Sequence, residues 1–176
     1  DPGTGKIKWH FQYTPGDAWD YDGNNESILL DVEIHGQKRR ALVHADRNGF
    51  FYALDRVTGE FIYASQFVDK LTWTSGLDPK TGRPLSRNLD TIPSKDNPRA
   101  FTCPANMGGK NWPPMSYSPE EGLAFIPVIE SCNVLIHEPQ TYKPGEFFLG
   151  GGLDLSQSEI NGSLTAFDVS KGEIRW

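Results

Sequence analysis

The chain has 176 residues, a hydrophobic fraction of 37% and a formal net charge of −6. This length and composition are ordinary for a folded domain with a sizeable core, and no apolar run approaches the roughly 18 residues that a membrane span needs. The acidic balance, with no Lys/Arg cluster beyond residues 38–40, argues against nucleic acid or an acidic membrane surface as the main partner. A small neutral ligand or a cation fits better.

An acidic and aromatic segment, TPGDAWDYDG, occupies residues 14–23. Asp20 and Asp22 are separated by one residue, so in an extended segment their side chains project the same way. Two carboxylates held together need a cation between them, and a hard metal ion is the natural choice. The alternative is a solvated turn. An EF-hand is excluded because Gly23 stands at the fourth place of the loop and no Glu closes it.

Short β-branched or aromatic runs dominate the rest of the chain, and no stretch has a long amphipathic helical period. The first four runs are separated by turn sequences and predict an antiparallel meander. Three later runs continue the same pattern. The predicted strands cover residues 27–34, 40–46, 50–55, 60–67, 123–129, 147–151 and 163–169.

A turn motif, D-x-x-x-G followed by Trp or Tyr four residues after the glycine, recurs at residues 1–9, 53–63 and 166–176. Its glycine supplies the positive φ of the turn, and its aromatic lies on the next strand. The first two copies are 54 residues apart and the last two 113 apart. One unit is therefore degenerate or swollen by insertions. The stretch 86–120, rich in Pro, Asn and Ser, is predicted to be a long irregular insertion with a functional role.

A four-stranded unit of about 50 residues, closed by a turn whose aromatic docks on its neighbour, is typical of a propeller blade. The sequence predicts about three such blades. Because a propeller hides its sheet edges only by closing its ring, we expect the chain to be an internal fragment of a larger protein.

The repeated turns resemble the tryptophan-docking motifs of the quinoprotein alcohol dehydrogenases, eight-bladed propellers that hold pyrroloquinoline quinone (PQQ). Three further segments, TPGDAWDYDG, HADRNGFFYALDR and CPANMGGKNWPPMSYSP, resemble active-site segments of that family. The resemblance implies an all-β fold in which residues 1–176 form part of a single propeller domain, with residues 86–120 bearing Asn111.

The resemblance also implies a role for each site residue. Asp20 is the expected catalytic base and a metal ligand, and Asp22 an added metal ligand. Lanthanide-dependent members resemble this chain in carrying Asp at the second position, and an extra negative charge favours a trivalent ion. A lanthanide is therefore expected, with calcium as the alternative. Arg47 and Asn111 are expected to contact the quinone, with Trp112 beside them; the alternatives are a tight turn for Arg47 and packing between blades for Trp112.

Cys103 and Cys132 resemble a disulfide of some of these dehydrogenases, and the alternative is two buried thiols. The four histidines show no ligand spacing and are predicted at the surface or in turns. By the family pattern, the remaining metal ligands, a vicinal disulfide and the tryptophan beneath PQQ belong to a part that this chain lacks. We therefore expect the fragment alone to be inactive.

The expected function is oxidation of a primary alcohol to the aldehyde, with electrons passed to cytochrome c in the periplasm. Residues 67–85 resemble the ethanol-type branch more than the methanol type. The full-length protein could form a homodimer, and neither nucleic acid nor a membrane span is expected. The competing hypothesis is a non-catalytic scaffold or binding propeller built on the same repeat, in which Asp20, Asp22, Arg47 and Asn111 would not lie together.

Overall fold

The computed structural model describes residues 1–156 and 159–176. It confirms an all-β fold, and within these ranges the helical structure is one short 3-10 helix, Leu89–Thr91. None of its helical structure has the length and apolarity of a membrane-spanning helix. The strands, in chain order, are β1 Ile28–Ile34, β2 Gln37–Ala45, β3 Phe50–Asp55, β4 Phe61–Gln66, β5 Arg99–Thr102, β6 Ser116–Ser118, β7 Leu123–Glu130, β8 Asn133–Ile136, β9 Gly152–Asp154, β10 Asn161–Asp168 and β11 Glu173–Ile174.

The first sheet is the predicted antiparallel meander, in the order β1-β2-β3-β4. Its strands match the four predicted runs to within three residues at each end. The inner strand β3 is buried along nearly its whole length, because the sheet is covered on both faces. Such a strand reads as a continuous apolar run rather than an alternating one.

The rest of the chain forms a second four-stranded sheet, β11-β10-β7-β6, and a three-stranded sheet, β5-β8-β9. The expected three blades therefore resolve into two four-stranded sheets and a smaller sheet built from inserted segments. The stretch 86–120 is not wholly irregular, since it contains the 3-10 helix, β5 and β6. The strand predicted at 147–151 is wrong: these residues, of which 147–150 are exposed, precede β9, which begins at Gly152.

The repeated turns dock on one another in sequence. Gly5, Gly59 and Gly172 all have positive φ, and each donates its N–H to the main-chain oxygen of the Asp four residues earlier at 2.8 Å. Trp9 lies against Gly59, where an added Cβ would come within 2.7 Å of the indole ring, and Tyr63 lies against Gly172 in the same way. Because Tyr63 reaches the third turn directly, the 113-residue spacing is one unit swollen by insertions.

The two four-stranded sheets pack face to face. Side chains from the first sheet and from β6, β7 and β10 form one buried apolar cluster, in which Phe51 and Phe167 have ring centroids 4.3 Å apart. On the opposite face of the first sheet, the segment before β1 buries Trp19 and Tyr21 against Trp73. This second cluster fixes the acidic segment against the first sheet.

Candidate functional site

The first part of the site is the tight turn between β2 and β3. Its ends are joined by hydrogen bonds from Asp46 N to Phe50 O and from Gly49 N to Asp46 O. The buried Asn48 amide braces the turn against Tyr13 O and the Tyr52 hydroxyl. Arg47 lies in this turn, as the alternative prediction for it stated, and its side chain extends toward the acidic segment.

The acidic segment is folded around Asp17. One Asp17 carboxylate oxygen accepts the Trp19 N–H at 2.9 Å, and the other accepts the Tyr21 N–H at 2.7 Å. Between them Asp20 takes a left-handed conformation with φ of 69°, which a residue with a Cβ adopts only when its surroundings enforce it. Trp19 is fully buried and donates from Nε1 to Thr91. Trp19 therefore packs, while Asp17 shapes the turn that presents Asp20.

Asp20 lies beside both Asp22 and Arg47. Arg47 Nη1 donates to the Asp20 main-chain oxygen at 2.7 Å and lies 3.7 Å from its carboxylate Oδ2. Burial, followed by a hydrogen bond shared with the Asp22 carboxyl, raises the pKa of Asp20, and the Arg47 charge opposes this rise. The exposed carboxyl group of Asp22 is thus close enough to disfavour the charge on Asp20.

The loop between β5 and β6, which carries Asn111, contacts the Arg47 turn. Gly109 donates its N–H to Arg47 O at 2.8 Å. Gly108, with φ of 79°, packs so tightly on Arg47 that an added Cβ would come within 2.5 Å of the Arg47 Cβ. Contacts therefore link the acidic segment, the Arg47 turn and the loop that carries Asn111.

Asn111 and Trp112 differ in how they are placed. Asn111 is buried; its Nδ2 donates to Met107 O and its Oδ1 accepts the Trp112 N–H, both at 2.8 Å. One Nδ2 proton remains for a further acceptor. Trp112 is 72% exposed, so it does not pack between the blades described here. Quinone contact by Asn111 and Trp112 remains a prediction.

Sequence reasoning missed an ion pair beneath this loop. The ammonium of Lys110, fully buried, lies 3.0 Å from Glu26 Oε2. Burial raises the pKa of Glu26, but N–H donors including that of Met115, together with Lys110, outweigh it and hold the pKa below its ordinary value. A lysine between a glycine pair and an asparagine carries no pattern that marks it as buried, so only the fold could show this pair.

His44 corrects the prediction that all four histidines lie at the surface or in turns. It is buried in β2, with Nε2 3.1 Å from Asp46 Oδ2, and its ring stacks on Tyr13 at 4.4 Å. Asp46 also accepts the Asn48 N–H through its other oxygen at 3.0 Å. The His44–Asp46 contact therefore anchors the residue that precedes Arg47.

Cys103 and Cys132 form a disulfide, as the family resemblance implied. It joins the start of the Asn111 loop to the connection between β7 and β8. Beside it, Ala105 donates its N–H to Ser131 O at 2.8 Å, and Asn133 Nδ2 donates to Asn106 Oδ1 at 2.9 Å. The loop is thus tethered at its first residues.

The carboxylates of Asp20 and Asp22 are ligands of the type that a hard cation binds, but they are too few to complete its coordination shell. Asp20 and Asp22 offer adjacent carboxylates of the type that calcium and lanthanides prefer. Among the described residues no cluster of three or more His, Cys, Asp or Glu side chains could hold a metal. The Arg47 Nε is buried and has no hydrogen-bond partner in the described chain, so its N–H is available to an acceptor such as a quinone oxygen. The residues present are compatible with metal and PQQ and would need further ligands.

An open pocket of about 360 Å³ adjoins Asp20. Its lining comes from the acidic segment, from strands β8 and β9 of the three-stranded sheet with the residues next to them, and from Asn106. Apart from His137, its remaining lining is apolar or glycine: Ala18, Trp19, Pro93, Leu135, Ile136, Leu149, Gly150, Gly151, Gly152 and Leu153. A small organic molecule could therefore reach the Asp20 carboxylate from this side.

Comparison with known proteins places the chain in one family. Residues 1–68 match the model "Glucose/ethanol/alcohol dehydrogenase, beta-propeller domain" of the PQQ family. Over its whole length the chain is 41% identical to a quinoprotein ethanol dehydrogenase of Pseudomonas putida, of which it spans 30%. Over 99% of its length it is 36% identical to a lanthanide-dependent methanol dehydrogenase of Methylacidiphilum fumariolicum, of which it spans 29%.

The fold agrees with this match. The structure of a europium-containing methanol dehydrogenase superimposes with a TM-score of 0.87 and 35% identity, covering 99% of this chain and 31% of that one. The chain therefore spans about 30% of the length of the curated relatives it matches. With matching sequence, propeller sheets and docking turns, the chain belongs to the PQQ-dependent alcohol and methanol dehydrogenase family.

Proposed function

We propose that the protein oxidises a primary alcohol to the aldehyde, with PQQ and a metal ion as cofactors. The observation that carries this proposal is the meeting of Asp20, Asp22 and Arg47 at one place beside an open pocket. The relatives named above are ethanol and methanol dehydrogenases, which supports alcohol oxidation as the general chemistry.

In the proposed reaction Asp20 accepts the hydroxyl proton of the alcohol. Asp20 lines the pocket and is placed by the Asp17-capped turn. A bound PQQ, activated by a metal ion, would supply the oxidising power for this reaction. Arg47 would supply a positive charge to stabilise negative charge that develops in the site. Asp17 and Arg47 together hold Asp20 in its left-handed conformation.

We propose a lanthanide as the metal, with calcium as the alternative. Asp22 adds a second full negative charge next to Asp20, and such a pair favours a trivalent over a divalent ion of similar size. The likeness to a lanthanide-dependent enzyme and to a europium-containing structure supports this assignment.

We further propose an ethanol-type substrate range, since the pocket beside Asp20 has room beyond a single carbon. Cytochrome c is the proposed electron acceptor, and a homodimer is the proposed assembly. The Cys103–Cys132 disulfide supports an oxidising compartment such as the periplasm.

A non-catalytic propeller scaffold is the competing function. It is disfavoured because such a protein has no need of adjacent carboxylates beside an arginine, and Asp22 disfavours the charge on Asp20. The docking turns by themselves do not distinguish the two functions, because a scaffold would also need them to hold its blades together.

The proposal is tested by producing the full-length protein, loading it with PQQ and either lanthanum or calcium, and following alcohol-dependent dye reduction. We expect activity with lanthanum and ethanol. Activity with calcium alone would overturn the metal assignment. A folded, PQQ-loaded protein that is inactive with both metals would favour the scaffold.

A further inference from the structure

The Lys110 ammonium is enclosed at the junction of the two segments that carry the proposed cofactor contacts. It is fully buried and makes two polar contacts of 3.0 Å, one to Glu26 Oε2 and one to the main-chain oxygen of Asn111. Burying an ammonium is costly unless it is paired. A lysine at this place therefore needs the carboxylate of Glu26.

Glu26 binds the same loop at a second point. Its other oxygen, Oε1, accepts the N–H of Met115 at 2.7 Å. The neighbouring Asn25 donates from Nδ2 to Ala45 O at 3.1 Å and to Lys110 O at 3.4 Å. The Glu26 side chain thus binds the loop at Lys110 and at Met115, on either side of Asn111. The Asn25 side chain joins the same loop to the end of β2.

The connection continues to Arg47. Directly before Lys110, Gly109 donates its N–H to Arg47 O and accepts the N–H of Ile129, both at 2.8 Å. Directly after it, Asn111 is held by Met107 and Trp112. A displacement of Lys110 would be transmitted to both proposed quinone contacts, because Asn111 directly follows it and Gly109, which is bonded to Arg47, directly precedes it.

We propose that Glu26 and Lys110 are positioning residues for the cofactor site: their ion pair holds the Asn111 loop and Arg47 in register with the acidic segment that bears Asp20 and Asp22. The inference rests on the proposed function, because it concerns the placement of residues assigned to the quinone. Neither Glu26 nor Lys110 is proposed to contact PQQ, metal or alcohol.

The test uses the full-length protein and free PQQ as the probe. Lys110→Met removes the buried charge and leaves Glu26 partly solvated. The double variant Glu26→Gln/Lys110→Met removes both charges, so it leaves no unpaired buried ion. Arg56→Met is the matched control, since Arg56 also pairs with an acid of β1, Asp31, at 2.9 Å but stands at the opposite end of β3 from the Arg47 turn.

Binding is measured by quenching of tryptophan fluorescence on titration with PQQ, alongside the melting temperature and steady-state kinetics with ethanol. We expect the PQQ dissociation constant to rise about tenfold or more in both pair variants. At saturating PQQ we expect kcat to fall about 10- to 100-fold, as for a misplacement of reacting groups. The KM for ethanol should change little, since the Asp20 pocket is untouched.

The positioning role is overturned if both pair variants bind PQQ within about twofold of wild type, or if Arg56→Met weakens binding equally at the same loss in melting temperature. A wild-type protein that folds and binds no PQQ would instead overturn the proposed function. The two failures are therefore distinguishable.

Discussion

Arg47 holds Asp20 by its backbone: Nη1 donates to the Asp20 main-chain oxygen at 2.7 Å, and the same nitrogen is 3.7 Å from the carboxylate. The arginine thus stabilises a left-handed residue whose own side chain stays exposed. A turn strained in this way is typical of functional sites, where surrounding contacts determine it. Arg47 therefore both stabilises the backbone conformation of Asp20 and contributes a positive charge to the proposed site.

Replacing Arg47 tests this double role. We expect Arg47→Lys to lower kcat about tenfold and Arg47→Met about 100-fold or more, because lysine keeps a charge but loses the planar fork. The measurement is dye reduction by full-length protein loaded with PQQ and lanthanum. Arg56→Met is the control and should remain near wild type. Equal activity of wild type and Arg47→Met would remove Arg47 from the mechanism.

Replacing Asp22 tests the metal assignment. We expect Asp22→Asn to weaken lanthanide binding at least about tenfold and calcium binding less, since the lost charge matters more to a trivalent ion. The metal-free variant should be slightly more stable, by up to about 1 kcal/mol, because repulsion from Asp20 is relieved.

Terbium luminescence during titration measures the affinity, and thermal unfolding without metal measures the stability. Asp31→Asn, an exposed acid of β1, is the control for loss of one charge. An Asp22→Asn protein that binds terbium as wild type does would show that Asp22 is not a ligand.

Replacing a docking glycine tests how the blades are held together. Gly59 and Gly36 have nearly the same φ, 79° and 76°. An added Cβ at Gly59 would meet Trp9 at 2.7 Å, whereas at Gly36 it would meet no described residue within 4 Å other than its chain neighbours. Both alanine variants carry the backbone cost of about 1 to 2 kcal/mol. We expect Gly59→Ala to cost a further 1 to 3 kcal/mol, roughly, from the clash. Urea unfolding of the two variants, compared with each other, isolates that difference, and equal losses would mean that Trp9 does not dock there.

The repeat shows how far sequence could lead. D-x-x-x-G turns were predictable because an Asp that caps a turn and a glycine with positive φ are local requirements, and all three copies have that conformation. The meander was predictable because each of its strands is a short apolar run between turn residues. Both features depend on neighbours in the chain.

What could not be predicted depends on distant contacts. β5 and β8 are paired through residues more than 30 apart in the sequence, and β9 is a three-residue strand with little apolar character. From sequence alone a lysine such as Lys110 is expected at the surface. Its burial is explained by the ion pair with Glu26, which lies 84 residues away in the sequence. The proposed site residues were found by motif, but the contacts that hold them were not.

Removing the disulfide tests its hold on the Asn111 loop. Cys103 and Cys132 are separated by 29 residues, and losing a cross-link of that span costs about 3 to 4 kcal/mol in the chain-entropy account. We expect Cys103→Ser/Cys132→Ser to lower the melting temperature and to weaken PQQ binding by loosening the start of the loop. Wild type treated with reductant under mild denaturation is the second measurement. An unchanged melting temperature in both would show that hydrogen bonds such as Ala105 to Ser131 suffice.

The pH dependence of stability tests the Glu26 pair. The pKa of Glu26 in the folded protein lies below its ordinary value of 4.5, so the unfolded chain binds its proton more readily. The stability that ionised Glu26 contributes is therefore present above pH 4.5 and is lost as the pH falls through the lower, folded pKa. We expect the difference in free energy of unfolding between wild type and Glu26→Gln to be largest near neutral pH and to shrink in acid. Urea unfolding from about pH 3 to pH 7 measures it.

In a Lys110→Met background the same difference should vary less with pH, because one of the groups that lower the pKa is gone. A gap that stays constant across the range would mean that the ionised carboxylate is not what holds the loop.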